Sequence, residues 1–211
     1  MLLWLADPVH AVAIADDVVF LDTASDAYLC LVEASATMTL RCDGAVDIDD
    51  PATARTLLEA GLLRAVAPRK PIPEKPSLDL ELGRRSPRRR ELLALAGACV
   101  STATAFRLKS FRRLLADARK RKRGAASVDL EAVLDASAVF ARMRPWSPVG
   151  GACLMRSHLQ LKYLHGLGLD ADWVIGVRTW PFMAHCWLQA GPVALDDDVE
   201  RLVPYTPILV V

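Results

Sequence analysis

The chain has 211 residues, 53% apolar and 24% charged, with a net charge of +1, enough for one or two folded domains and unlike a disordered, collagenous or disulfide-scaffold protein. The near-neutral sum hides three unlike parts: residues 1–60 carry −9, residues 61–125 carry +13, and residues 126–211 carry −3. This asymmetry points to separate modules with different partners. Five irregularly spaced cysteines (Cys30, Cys42, Cys99, Cys153 and Cys186) form no disulfide framework and fit a reducing, cytoplasmic compartment.

The first residues lack the basic start of a signal peptide. Val9–Ala15, Val18–Asp22 and Ala27–Val32 alternate and are separated by Asp/Ser turns, which predicts a three-stranded antiparallel meander. A helical patch is expected over Ser35–Arg41. A second helix opens at Asp49-Asp50-Pro51, with proline at its first position, and runs through Leu57 and Leu58 to Gly61. Residues 1–65 therefore read as a small winged-helix-like α+β module.

Residues 66–90 read as a linker, with Pro68, Pro71, Pro73, Pro76 and Pro87 and two arginine clusters. One continuous helix is expected from Leu92 through Phe106 and Leu115 to a basic last turn and Gly124. Its run Leu92–Phe106 is too short to span a membrane and reads as a buried helix, with an interfacial membrane helix as the minor alternative, so no stable membrane insertion is expected. A further helix fits Val128–Arg142 with Ser127 as its cap.

The loop Arg144–Gly151 precedes Cys153, which opens a helix carrying Leu159, Leu161 and Leu164; strands follow at Trp173–Val177, Met183–Gln189 and Val193–Asp197. Amide groups and the dipole at a helix start favour a thiolate. A three-residue hairpin loop at Ala190-Gly191-Pro192 would set Gln189 opposite Val193, Trp187 opposite Leu195 and His185 opposite Asp197. Asp197 would then orient His185, and His185 would deprotonate Cys153. The same register turns Asp196 and Asp198 to the face of Cys186 and Leu188. The amide of Cys153 and donors from Trp146 and Ser147 are the oxyanion candidates. Zinc is the competing chemistry, but no CxxC or HxxxH pair joins Cys153, His158, His165, His185 and Cys186. No Walker or GxGxxG motif is present, and the acidic first module argues against a DNA-binding regulator.

The run Cys153-Leu-Met-Arg-Ser, Val174–Arg178, Pro181-Phe-Met-Ala-His185-Cys-Trp-Leu, Asp197 and Tyr205-Thr-Pro resembles the lasso-peptide leader peptidases. These are bacterial B proteins with a transglutaminase-like cysteine protease domain. Residues 1–65 resemble the leader-recognition element fused to it, similar to the small pyrroloquinoline-quinone biosynthesis chaperone. The resemblance implies protease residues 91–211, with Cys153, His185 and Asp197 as catalytic triad and no intrinsic cofactor. It implies a precursor peptide as substrate and an asparagine-synthetase-like cyclase as partner, through which ATP can enter. Cys186 departs from the small residue expected after the histidine. The leader is expected to add a strand beside Tyr28, Leu29, Cys30, Leu31 and Val32 and to pack against Leu57 and Leu58. An acyltransferase using an amine acceptor remains the alternative, since the same triad serves both.

Overall fold

The computed structural model describes residues 2–41, 44–64, 74–83, 85–122 and 129–211. Cys42, Pro68, Pro71, Pro73, Gly124 and the expected cap Ser127 lie outside the described residues. The chain divides into two compact units. The first holds residues 1–73 with 177–183 and 206–209; the second holds 74–176, 184–205 and 210–211.

In the first unit, strand β1 (Leu2–Leu5) buries Leu3 and Leu5. Strands β2 (Val9–Ile14), β3 (Asp17–Asp22) and β4 (Ala27–Leu31) form the expected meander, in register from Val9↔Asp22 to Ile14↔Asp17 and from Val18↔Leu31 to Asp22↔Ala27. Val18, Val19, Phe20 and Leu21 of the central strand are all fully buried, as befits a strand covered on both faces. The Asp22 carboxylate closes the second turn, accepting from Ala24 N at 2.8 Å and from Ser25 Oγ at 2.6 Å.

The helix expected over Ser35–Arg41 is replaced by a single 3₁₀ turn, Ala34–Ala36, and strand β5 (Met38–Leu40). A seven-residue helix is marginal alone, whereas β5 gains a backbone partner in β6 (Ala45–Ile48). Helix α1 (Pro51–Glu59) starts where the sequence placed it: the Asp50 carboxylate accepts from Ala52 N and Thr53 N. After Gly61, at φ +71°, strand β7 (Leu63–Arg64) completes a sheet of order β5-β6-β1-β7. Leu3, Val18, Phe20, Ile48, Leu57 and Leu63 share one core. Two small sheets and, among the described residues, one α-helix do not reproduce the expected winged-helix-like arrangement.

In the second unit, β8 (Leu78–Asp79) lies within the stretch expected as linker, and its two residues pair in parallel with Val193 and Ala194. Helix α2 (Arg89–Leu108) begins where the Glu91 carboxylate reaches back to Arg88 N at 2.6 Å. Glu91, 1% exposed, also accepts from Arg85, which bridges to Asp135 at 2.8 Å. The expected continuous helix breaks at Lys109, whose backbone is extended; α3 (Phe111–Lys122) restarts on the Ser110 carbonyl. The apolar spacing runs on across this break and so conceals it. Helix α4 (Leu130–Met143) is capped by Asp129, and a 3₁₀ turn spans Arg144–Trp146.

Helix α5 (Cys153–Gly166) packs against α2. Strands β9 (Asp172–Arg178), β10 (Met183–Ala190) and β11 (Val193–Ala194), helix α6 (Val199–Leu202) and strand β12 (Thr206–Val210) follow. The sheet order is β12-β9-β10-β11-β8. The whole is a mixed α+β protein.

Candidate active site

Cys153 is the first residue of α5, and the chain is turned into it by Gly151 at φ +146°. A Cβ on Gly151 would also stand 3.1 Å from Met155 Sδ, so glycine serves both conformation and space. The first amides of α5 have no intrahelical acceptor and point toward the cysteine's end.

His185 lies on β10, and its Nε2 is 2.7 Å from Asp197 Oδ2. That leaves Nδ1 as the ring nitrogen for Cys153. The His–Asp pair forms as expected, but not through the expected register. The hairpin closes on a two-residue loop, Gly191-Pro192, with Ala190 opposite Val193 and Gln189 opposite Ala194. Gly191 sits at φ +54°, which suits the first position of a two-residue loop. The ladder continues with Leu195 N donating to Leu188 O at 2.9 Å. The next acceptor is a side chain: Asp196 Oδ1 takes the Leu188 amide at 2.8 Å. The backbone departs from β10 there, and the bend carries Asp197 to His185.

Asp197 Oδ2 also accepts from Arg156 Nη2 at 2.8 Å, and Oδ1 accepts from Asp198 N at 3.0 Å. Burial works to raise this carboxyl; the His185 bond, the Asp198 amide and Arg156 outweigh it and hold it at about 2. His185 is raised to about 9, first by the Asp197 bond and then by Cys153. Cys153 is lowered to about 4, first by the Cys186 thiol, then by His185, with the Cys186 amide adding to both. The Cys186 thiol, 2% exposed, is pushed up by its bond to Cys153 and by burial. Between these limits Cys153 is a thiolate facing an imidazolium.

Ser157 ties the site together. Its hydroxyl donates to Cys153 O at 2.9 Å, accepts from Trp173 Nε1 at 2.8 Å and lies 3.4 Å from Cys186 Sγ. The His185 ring packs 5.1 Å from Tyr205 and 6.4 Å from Trp187. A Cβ at Gly176 would come within 2.7 Å of the Trp187 ring, so only glycine lets that indole lie against β9. Arg156 and Ser157 were missed as site residues, whereas Cys186 was noted without a role. The signal for the first two was spacing: positions three and four after Cys153 share its helix face.

The other expected residues are placed as follows. Trp146 is 86% exposed, and Ser147 Oγ is engaged by Val149 N at 3.2 Å and Cys99 Sγ at 3.4 Å. Leu29 and Val32 are exposed, Tyr28, Cys30, Leu31 and Leu58 are half-buried, and β4 is an edge strand. Leu57, 3% exposed, fills the core and presents no surface to a ligand, which corrects its expected binding role. Within the same unit the Phe182 ring lies 5.3 Å from Tyr28, and the Trp180 indole donates to Asp17 at 2.8 Å. Of the zinc-type residues, His158 bonds Thr102 and His165 bonds Asp170, each at 3.0 Å. Burial holds His158 down at about 3, so it is a neutral packed ring. Among the described residues no three metal-ligating side chains come together.

A family model described as the transglutaminase-like superfamily matches residues 96–210. The chain is also similar to the microcin J25-processing protein McjB of Escherichia coli. The two are 40% identical over 45 residues, which cover 21% of this chain and 22% of that protein. No solved structure matches the chain.

Proposed function

The chain belongs to the transglutaminase-like superfamily, and from that premise we propose that it is a cysteine endopeptidase that cuts the leader from a lasso-peptide precursor. The observation that carries the reading is Cys153 at a helix start against His185, whose far nitrogen is bonded to a nearly inaccessible Asp197 at 2.7 Å. The partial likeness to a protein named for processing microcin J25 supports the choice of substrate.

In this reading His185 holds the proton released by Cys153. The thiolate attacks the carbonyl at the leader–core junction, and the Cys153 amide, at the open end of α5, donates to the developing oxyanion. His185 then gives its proton to the leaving amine of the core, and the leader remains as a thioester on Cys153. Water, deprotonated by His185, hydrolyses the thioester and restores Cys153. Asp197 keeps the ring oriented and stabilises the imidazolium. Arg156, on the same carboxylate oxygen, is a positioning residue.

The leader is bound by strand addition at the open edge of β4, with Leu29 and Val32 as its exposed apolar contacts. The freed core amine then passes to a separate, asparagine-synthetase-like cyclase, where ATP is used. The test is incubation of the full chain with a precursor peptide and mass spectrometry of the products. Leader and core with one added water support a peptidase. A leader joined to an added amine would instead assign an acyltransferase.

A further inference from the structure

Helix α2 buries one side and leaves the other to solvent. Glu91, Ala98, Cys99, Thr102 and Ala105 are buried. At 100° per residue, Leu92, Leu93, Ala96, Gly97, Val100 and Leu108 gather on the opposite face. Leu93 is 74% exposed, Val100 66% and Leu108 76%. Single exposed apolar residues need no explanation, but a contiguous stripe along a 20-residue helix does. The Thr104 hydroxyl spends its donor within the helix, on Val100 O at 2.8 Å.

Charge surrounds the stripe. Arg89 and Arg107 fall on the same face at its two ends, eighteen residues or roughly 27 Å apart. Residues 85–122 hold twelve basic and two acidic residues. A groove of about 400 Å³ beside the stripe is lined by Leu93, Ala94, Gly97 and Ser101 together with Arg90 and Lys162. Pairing two copies through this face, parallel or antiparallel, sets arginine against arginine and is opposed. The polar groups beside the stripe are few, the half-buried Ser101 at the groove and the Thr104 hydroxyl tied to Val100 O, and a fluid anionic surface needs no directional group to match them.

We propose that α2 docks the protein peripherally on an anionic lipid bilayer, its apolar stripe entering the headgroup boundary while the flanking arginines meet lipid phosphates. The inference is independent of the proposed peptidase reaction.

The test is flotation of the full chain with phosphatidylglycerol/phosphatidylcholine vesicles at low salt. Binding is expected there and is expected to be lost on pure phosphatidylcholine and at high salt. Leu93→Glu with Val100→Glu should abolish binding while circular dichroism and melting temperature stay unchanged, since both side chains are exposed. Arg89→Glu with Arg107→Glu should weaken it at about fivefold for each cation lost. No binding by the unaltered chain, or equal binding by the Leu93/Val100 variant, would overturn the proposal. So would self-association through this face, or saturable binding of a Glu-rich amphipathic peptide, in the absence of vesicle binding.

Discussion

Replacing Cys186 by alanine removes one S–H and leaves the backbone amide in place. That S–H is the largest single influence holding Cys153 at about 4. A hydrogen bond to a charged group contributes about 1.5–3 kcal/mol, and a thiol is a weak donor. At about 1.36 kcal/mol per pH unit, the low end of that range moves Cys153 up by about one unit. Cys153 would still be a thiolate at neutral pH, so turnover at pH 7 should change by less than about twofold. The acid limb of the rate should shift upward by about one pH unit. Alkylation of Cys153 by iodoacetamide between pH 3 and 8, followed on the Cys153 peptide by mass spectrometry, reads this directly. Cys186→Ser, which keeps a donor, should restore the limb. An unmoved acid limb in Cys186→Ala would refute the role assigned to the second thiol. A loss of about a hundredfold or more at pH 7 would show that Cys186 itself does chemistry.

Asp197→Asn should let His185 fall from about 9 toward its ordinary value, narrowing the pH window of the ion pair from its alkaline side. Cleavage should drop by about 10²–10⁴-fold, and the alkaline limb should move to lower pH. Asp196 is raised to about 7 by burial, and a raised carboxyl costs stability as pH climbs from its unfolded value through its folded one. Melting temperature should therefore fall between pH 4 and 7 through this group, and Asp196→Asn should flatten that slope. Leu57→Ala should cost about 2–5 kcal/mol in denaturant unfolding, whereas Val32→Ala, at an exposed position just after β4, should cost less than about 0.5 kcal/mol. Val32→Asp should instead weaken leader binding measured by fluorescence anisotropy.

Local signals placed the elements that carry the site. The Gly150-Gly151 pair before a helical apolar repeat located Cys153 at the start of α5, and Asp50-Pro51 fixed the start of α1. The meander was legible because its strands alternate and its turns carry Asp and Ser. The hairpin paired His185 with Asp197 through a register the structure does not adopt. A one-residue difference in loop length is invisible to strand pattern, and the bend at Asp196 depends on its side chain replacing a backbone acceptor. The strand at Met38–Leu40 was hidden because only its pairing with β6 decides it. The break at Lys109 was hidden because apolar residues continue on either side. Arg156 became visible only once the face of α5 turned toward Asp197 was known.

The central claim is that Cys153 is the nucleophile of a leader peptidase. Its most direct measurement is trapping on the precursor itself. The unaltered chain, acid-quenched during turnover and analysed by intact mass, should carry the leader as a thioester on Cys153. Cys153→Ala should carry no adduct and release no core while still binding the leader. Core release by Cys153→Ala, or an adduct on another residue, would contradict it.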